Sequence, residues 1–237
     1  SVVSYNGKTI ITSNRDEQVL RPSAVEPKNY VINNKNVIFP KDARADGTWF
    51  AAGDNGVIAV LLNGAFKKHT VTPPYRKSRG LILLEIIEAD EPLGFFKTIS
   101  LDNIEPFTIV LHQPGLLHEL RWDGNDKHEK ALDIANNYIW SSSTLYTDQV
   151  IEYRKNLFDR FIHSADGITA ATVHDFHASN NGDAENGFVI SRQTGMKTFS
   201  ITQAVVQNNA VNFSHADLLQ GKRYSETMLI NHTAIKI

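Results

Sequence analysis

Short runs of β-branched and aromatic residues alternate with turn residues in the first part of the chain, a pattern typical of strands. Val2–Tyr5 and Thr9–Thr12 flank the dipeptide Asn6-Gly7, which is the strongest short-range indication of a β-hairpin. We therefore expect the first two strands to pair antiparallel across a tight turn. Further runs of the same kind predict strands at 30–32, 37–39, 48–52 and 57–62.

Apolar residues at helical spacing mark the longer segments that follow. Apolar side chains occupy positions 81, 82, 84, 86 and 87, which predicts a helix over 77–89, and the segment 148–163 has an amphipathic stripe. Short helices are also expected after Pro92 and over 168–177. The other predicted strands are 107–111, 116–122, 138–140, 188–191, 198–202, 205–213 and 228–237.

The order of these elements is strands, helices, strands, helices, strands. Hairpins dominate and βαβ alternation is absent, so the order favours antiparallel sheets over a doubly wound parallel sheet. No repeat or linker divides the chain. We therefore predict an α+β fold in a single domain spanning residues 1–237, with two sheets packed together, helices outside and strand 2–5 in a central position.

The composition argues against several classes of partner. Lysine and arginine total 24 against 26 acidic residues, and no basic run is present, so neither a nucleic-acid nor an anionic-membrane partner is expected. The longest apolar stretch, 81–87, is too short to span a bilayer. No signal peptide is recognised in residues 1–12, and we expect a soluble, cytoplasmic protein. The absence of cysteine excludes disulfides, thiolate metal sites and a cysteine nucleophile.

The candidate chemistry lies at the start of the chain. The hairpin returns the polar segment Thr12–Glu17 towards Ser1. A free N-terminal serine combines a hydroxyl nucleophile with an α-amine whose ordinary pKa is about 8, so the amine can accept the hydroxyl proton. Arg15 and Asp16 would orient the amine and hold its charge state. The alternative is that this segment is a solvated strand end or a helix cap.

Other motifs in the sequence provide weaker indications of function. His174 and His177 stand three positions apart, as two ligands on one helical face would, but a metal site needs three or four converging groups, and surface histidines are the simpler interpretation. No glycine-rich nucleotide-binding motif is present, so no cofactor and no metal are expected.

The segment Ile11–Glu17, with Arg21-Pro22 after it, resembles the NRDE family, which is also called the transport and Golgi organisation protein 2 family. Members of that family usually carry cysteine directly after the initiator methionine, where this chain has Ser1. The likeness extends over most of the chain, and its Pro-Pro-Tyr-Arg run is similar to the bacterial branch. It is carried further by residues 39–42, 47–49, 61–65, 73–80, 101–107 and 140–142.

The resemblance implies an N-terminal-nucleophile (Ntn) hydrolase-like fold, which is a four-layer αββα sandwich. It also implies a distant likeness to bile-salt hydrolases and penicillin V acylases, whose mature chains begin with a catalytic cysteine. Their active-site aspartate then matches Asp16, their oxyanion-hole asparagine matches Asn63, and a second polar position falls near Ser142. Their second active-site arginine has no match here.

Three functions are compatible with these residues. The first is an Ntn-type amide (C–N) hydrolase or acylase that acts on a small molecule with Ser1, Arg15, Asp16, Asn63 and Ser142 as its site. The second is a non-catalytic protein of the same fold that binds a lipid, acyl or other apolar ligand, of trafficking or homeostasis type. The third is an interaction module with a filled cleft.

Overall fold

The computed structural model describes residues 1–164 and 167–231. Its elements follow the predicted order of hairpins and helices. Their bounds are β1 Val2–Tyr5, β2 Lys8–Gln18, β3 Val25–Ile32, β4 Lys35–Lys41, β5 Phe50–Gly53, β6 Ile58–Asn63, α1 Arg79–Glu88, α2 Pro92–Thr98, β7 Phe107–Gln113, β8 Leu116–Trp122, β9 Lys127–Leu132, α3 Asp148–Ser164, α4 Ala170–Ala178, β10 Met196–Gln207, β11 Ala210–Asp217 and β12 Lys222–Leu229.

One compact unit is built on a five-stranded sheet of order β1-β2-β10-β11-β12. β2 pairs antiparallel with both β1 and β10, and α4 packs on β2 and β10. The apolar residues Val3 and Ile10 of the first hairpin are buried against Phe158 of α3 and Val173 of α4. This packing fixes the hairpin beneath the helices and so determines what lies near Ser1.

The second compact unit is a seven-stranded antiparallel sheet in which β3 to β9 follow one another in chain order. Short connections between neighbouring strands explain this order, because antiparallel partners need only a tight turn. α1 begins after Ser78, whose side chain accepts a hydrogen bond from the Leu81 amide, and buries Ile82, Leu83 and Ile86 in the core.

The α+β class is confirmed. Two antiparallel sheets and a layer of helices on each of them are present, which are the components of the predicted sandwich. Among the described residues, no helix is both long and apolar enough to cross a bilayer.

The predicted central position of strand 2–5 is wrong, because β1 is the edge strand of its sheet. Val2 and Val3 are nevertheless buried. Val2 forms an isolated bridge with Tyr138, and the Ser4 amide donates to the Asn137 side chain at 2.9 Å. A non-strand segment therefore covers the edge and buries the apolar residues that suggested a central strand.

Other elements differ from the prediction as well. The predicted strands 138–140 and 188–191 contain only isolated bridges, and the predicted strand 205–213 is interrupted by the turn between β10 and β11. β9 was missed because its sequence, Lys-His-Glu-Lys-Ala-Leu, lacks apolar alternation, as an edge strand can. The last predicted strand, 228–237, is replaced by β12 at Lys222–Leu229, and residues 232–237 of it lie outside the described residues.

Candidate active site

The register of the first hairpin places Ser1 opposite Thr12. The Ser1 amine donates to the Thr12 carbonyl at 2.7 Å, and the Thr12 amide donates to the Ser1 carbonyl at 2.9 Å. The turn that sets this register has Asn6 and Gly7 at φ 48° and 72°, as a type I′ turn requires. Both ends of the Ser1 backbone are therefore held by one neighbour, and the direction of its side chain is defined.

The Ser1 hydroxyl meets a buried imidazole. Ser1 Oγ lies 2.8 Å from His177 Nε2, and His177 Nδ1 lies 2.6 Å from Asn14 Oδ1. Asn14 Nδ2 donates to the backbone carbonyls of His177 and Phe188 at 2.9 and 2.8 Å. Since both amide hydrogens are used there, Oδ1 is the atom that faces Nδ1, and it can only accept. Nδ1 therefore carries the imidazole proton, and Nε2 presents a lone pair to the Ser1 hydroxyl.

Both basic groups at Ser1 are neutral at pH 7. Burial lowers the pKa of the Ser1 amine to about 5, with a smaller contribution from the positive charge of Arg154. Burial likewise lowers the pKa of His177 well below its ordinary value, with contributions from the Ser1 amine and Arg154. A neutral base beside a hydroxyl is the arrangement that activates a serine nucleophile.

A buried arginine lies near this pair. The guanidinium of Arg154 is 4.1 Å from the centroid of the Tyr146 ring and 4.7 Å from that of Phe188. The Phe188 ring also packs on His177, with the ring centroids 5.6 Å apart. Arg154 thus shares an aromatic neighbour with the imidazole that holds Ser1.

Asp16 occupies a different place from the one predicted. It lies four residues beyond Thr12 on β2, which corresponds to roughly 13 Å along a strand. Its carboxylate accepts hydrogen bonds from Tyr146 Oη at 2.8 Å and Thr198 Oγ1 at 2.6 Å. The predicted contact with the Ser1 amine is wrong, because the hairpin pairs residue 1 with residue 12. Asp16 orients Tyr146 instead.

Arg15 is buried on β2 between Asn14 and Asp16. Successive side chains of a strand alternate between its faces, so Arg15 projects to the side opposite Asn14. Its guanidinium lies 3.7 Å from the Glu17 carboxylate and 5.7 Å from the centroid of the Phe199 ring. The structure brings Ser1 together with Asn14 but does not show a contact of Ser1 with Arg15.

Asn63 and Ser142 lie together in the second unit. Asn63 is the last residue of β6, and its carbonyl accepts a hydrogen bond from Ser142 Oγ at 2.8 Å. Gly64 follows with φ at 82°, as expected for the turn that ends this strand. The Asn63 side chain is exposed, and its amide has no hydrogen bond within the described residues, so the carboxamide is available to a ligand.

The sequence interpretation missed His177 and Arg154 as site residues. His177 was considered only as one of a metal-binding pair, but its ring faces Ser1, while His174 Nδ1 lies 3.5 Å from Asp175. No group of three potential ligands among the described residues suits a metal ion. The signal for Arg154 was its position three residues after Ile151 and four before Phe158, on the apolar stripe of α3, where a charge is unusual.

Comparisons with known proteins identify similar structures and a matching family model. Two crystal structures of conjugated bile acid hydrolase from Clostridium perfringens are similar over most of their length. A cysteine-to-alanine mutant is 10% identical, covering 96% of this chain and 87% of that one at a TM-score of 0.46. An arginine-to-leucine variant is 11% identical, covering 98% and 94% at a TM-score of 0.45. No curated protein matches the chain. The family model described as Transport and Golgi organisation 2 matches residues 4–213, and the chain therefore belongs to that family.

Proposed function

We propose that this protein is an amide (C–N) hydrolase in which Ser1 is the nucleophile. The observation that carries the proposal is the hydrogen-bonded chain Ser1 Oγ, His177, Asn14, with distances of 2.8 and 2.6 Å. A nucleophile, a base and a third group that orients the base are the parts that nucleophilic acyl transfer requires.

In the proposed reaction His177 Nε2 takes the proton from the Ser1 hydroxyl while Oγ forms a bond to the amide carbon. The C–N bond of the resulting tetrahedral intermediate breaks, and the imidazolium gives its proton to the leaving amine. The acyl group is then an ester on Ser1. The imidazole then takes a proton from a water molecule, whose oxygen bonds to the ester carbon. The bond from that carbon to Ser1 Oγ breaks, the acid is released, and the imidazolium returns its proton to Oγ.

His177 is the base in this scheme because its lone pair faces the hydroxyl. The Ser1 amine, which the sequence suggested, is also neutral at pH 7 and donates to Thr12. The proposed proton transfer uses the Ser1 hydroxyl and the His177 imidazole, and the amine takes no part in it.

The remaining residues have supporting roles in the proposal. The family resemblance implies Asn63 as the oxyanion donor, and Ser142 Oγ donates a hydrogen bond to the Asn63 carbonyl. Asp16 positions Tyr146, and Arg15 contributes positive charge beneath the strand. Asn63→Ala should lower turnover roughly a hundredfold, as removal of one oxyanion donor does elsewhere.

The test is direct detection of the acyl-enzyme. Purified protein whose first residue is confirmed by intact mass is mixed with a panel of N-acyl anilides of increasing chain length. Ser1 should gain the acyl mass, and the aniline should be released in a burst. Ser1→Ala should show neither, while Ser1→Cys should react faster because a thiol is the better nucleophile at pH 7. Apolar acyl chains that bind without an adduct would instead support the ligand-binding function.

A further inference from the structure

Arg154 is a buried cation whose bonding is incomplete. Only 5% of the residue is exposed, and its Nε and Nη1 atoms are buried without a hydrogen-bond partner. The Tyr146 hydroxyl lies within hydrogen-bonding range of its guanidinium, and within the described part of the chain no carboxylate forms an ion pair with it. Burial therefore keeps this charge away from bulk water, and no carboxylate among residues 1–164 and 167–231 neutralises it.

Such an arrangement is unfavourable for stability. A cation over an aromatic face is stabilised only modestly. Each buried donor without a partner costs at least as much as such a contact gains, and removing the charge from water costs more still. The two rings around Arg154 do not offset these terms. An anion supplied from outside the chain would satisfy the free donors and the charge together.

The location connects this cation with the nucleophile. The Phe188 ring packs against both the Arg154 guanidinium and the His177 ring. The charge of Arg154 also lowers the pKa values of both the Ser1 amine and His177, so it acts within electrostatic range of the reacting atoms. The Asp16 carboxylate accepts a hydrogen bond from the Tyr146 hydroxyl, which holds the Tyr146 ring against the Arg154 guanidinium.

We propose that Arg154 binds a carboxylate of the substrate, and that the substrates are small amides with a free carboxylate close to the scissile bond. This substrate class rests on the proposed hydrolase function, whereas the anion site itself does not. A carboxylate matches the planar guanidinium and neutralises its single charge. Neutral amides of the same size would leave the buried donors unpaired and should be poor substrates.

Two matched substrate pairs test this class. One pair is an N-acylglycine and its glycinamide, with the carboxylate on the leaving amine. The other is a succinyl anilide and a butyryl anilide, with the carboxylate on the acyl side. The carboxylate-bearing member of at least one pair should have a kcat/KM tenfold or more above that of its partner. Arg154→Met should abolish this preference, and Arg154→Lys should keep part of it. Arg160→Met, which removes an exposed charge from the same helix, should keep all of it.

A binding measurement separates this inference from the function. Calorimetric titration of Ser1→Ala with N-acetylglycine should show binding that Arg154→Met removes and that N-acetylglycinamide does not show. Turnover without any carboxylate preference, or a preference that persists in Arg154→Met, would overturn the anion site and leave the hydrolase standing. Arg154-dependent binding without turnover of any amide would do the reverse.

Thermal unfolding provides a readout that does not depend on any ligand. Arg154→Met should keep or raise Tm, because the variant replaces an unpaired buried charge by an apolar side chain. A fall of Tm beyond about 5 °C would mean that Arg154 mainly supports the fold, which would contradict the assignment.

Discussion

His177 Nε2 lies 2.8 Å from Ser1 Oγ, although 176 positions separate the two residues. Two residues of β2 explain why these distant residues lie in contact. Thr12 of this strand fixes the Ser1 backbone, and Asn14, two positions later and on the same face, binds the imidazole of α4. One strand thus aligns the hydroxyl with the base, and the packing of α4 on β2 completes the site.

Replacement of the base gives the first prediction. His177→Gln should lower kcat/KM by about a hundredfold or more, because general base catalysis contributes roughly that factor. Steady-state hydrolysis of the best anilide from the acyl panel provides the measurement. His174→Gln is the control, since it removes a partly exposed imidazole from the same helix and should leave the rate within twofold of wild type. Equal losses in the two variants would contradict the role of His177.

The pH dependence gives the second prediction. In the proposed reaction the neutral imidazole is the active form, so activity should be lost as pH falls through the pKa of His177 in the folded protein. Burial lowers the pKa of His177 well below 6.5 and that of the Ser1 amine to about 5. The kcat/KM value should therefore stay constant from pH 8 to pH 6.5 and fall only in more acidic solution. A half-maximal rate between pH 6.5 and 8 would show an ordinary histidine or amine in the site.

Much of the fold follows from short-range patterns in the sequence. The Asn6-Gly7 turn predicted the first hairpin, and the helical stripe over 148–163 predicted α3. Short-range patterns did not predict which strands lie at the edge of a sheet. Val2 and Val3 are as apolar as residues of a central strand, but their cover comes from Asn137 and Tyr138, far along the chain.

The site could be predicted only where it is local. Ser1 and the polar residues of β2 were recognisable because a single hairpin joins them. The polar residues that contact Ser1 are determined by the register of the hairpin and by the position of α4. Neither can be predicted from the residues around position 16. The pairing of residue 1 with residue 12 moves Asp16 away from the amine and leaves Asn14 and His177 as the partners.

A close backbone approach between Gly80 and Thr48 gives a stability prediction. A Cβ atom on Gly80 would lie 2.7 Å from both the backbone nitrogen and the carbonyl oxygen of Thr48. Gly80→Ala should therefore lower the free energy of unfolding by about 1–3 kcal/mol or more, despite the higher helix propensity of alanine. Gly94 is an exposed helical glycine whose added Cβ would meet only Glu91 Cβ at 3.5 Å. Gly94→Ala should be neutral or stabilising by up to about 1 kcal/mol, and urea unfolding compares the two.

The last prediction tests the proton position on His177 through Asn14→Asp. Two backbone carbonyls accept hydrogen bonds from Asn14 Nδ2, and a carboxylate in that place would set an oxygen against each of them. The variant should lose about 1–3 kcal/mol of stability at pH 7 for each unpaired carbonyl. Burial and the facing carbonyls should raise the carboxyl pKa above its unfolded value. The folded state then binds the proton more tightly, so the stability deficit should shrink as pH falls through the raised pKa.

Urea unfolding of Asn14→Asp between pH 7 and pH 4, referenced to wild type at each pH, measures this effect. Asn14→Ala serves as the control, because it lacks the same two donors but has nothing to titrate, and its deficit should not shrink in the same way. Wild-type stability of Asn14→Asp at pH 7 would mean that oxygen, not nitrogen, faces the carbonyl side. The Asn14 amide group would then donate to Nδ1, the imidazole proton would sit on Nε2, and His177 would have no lone pair with which to accept the Ser1 proton. The general-base scheme requires the opposite result.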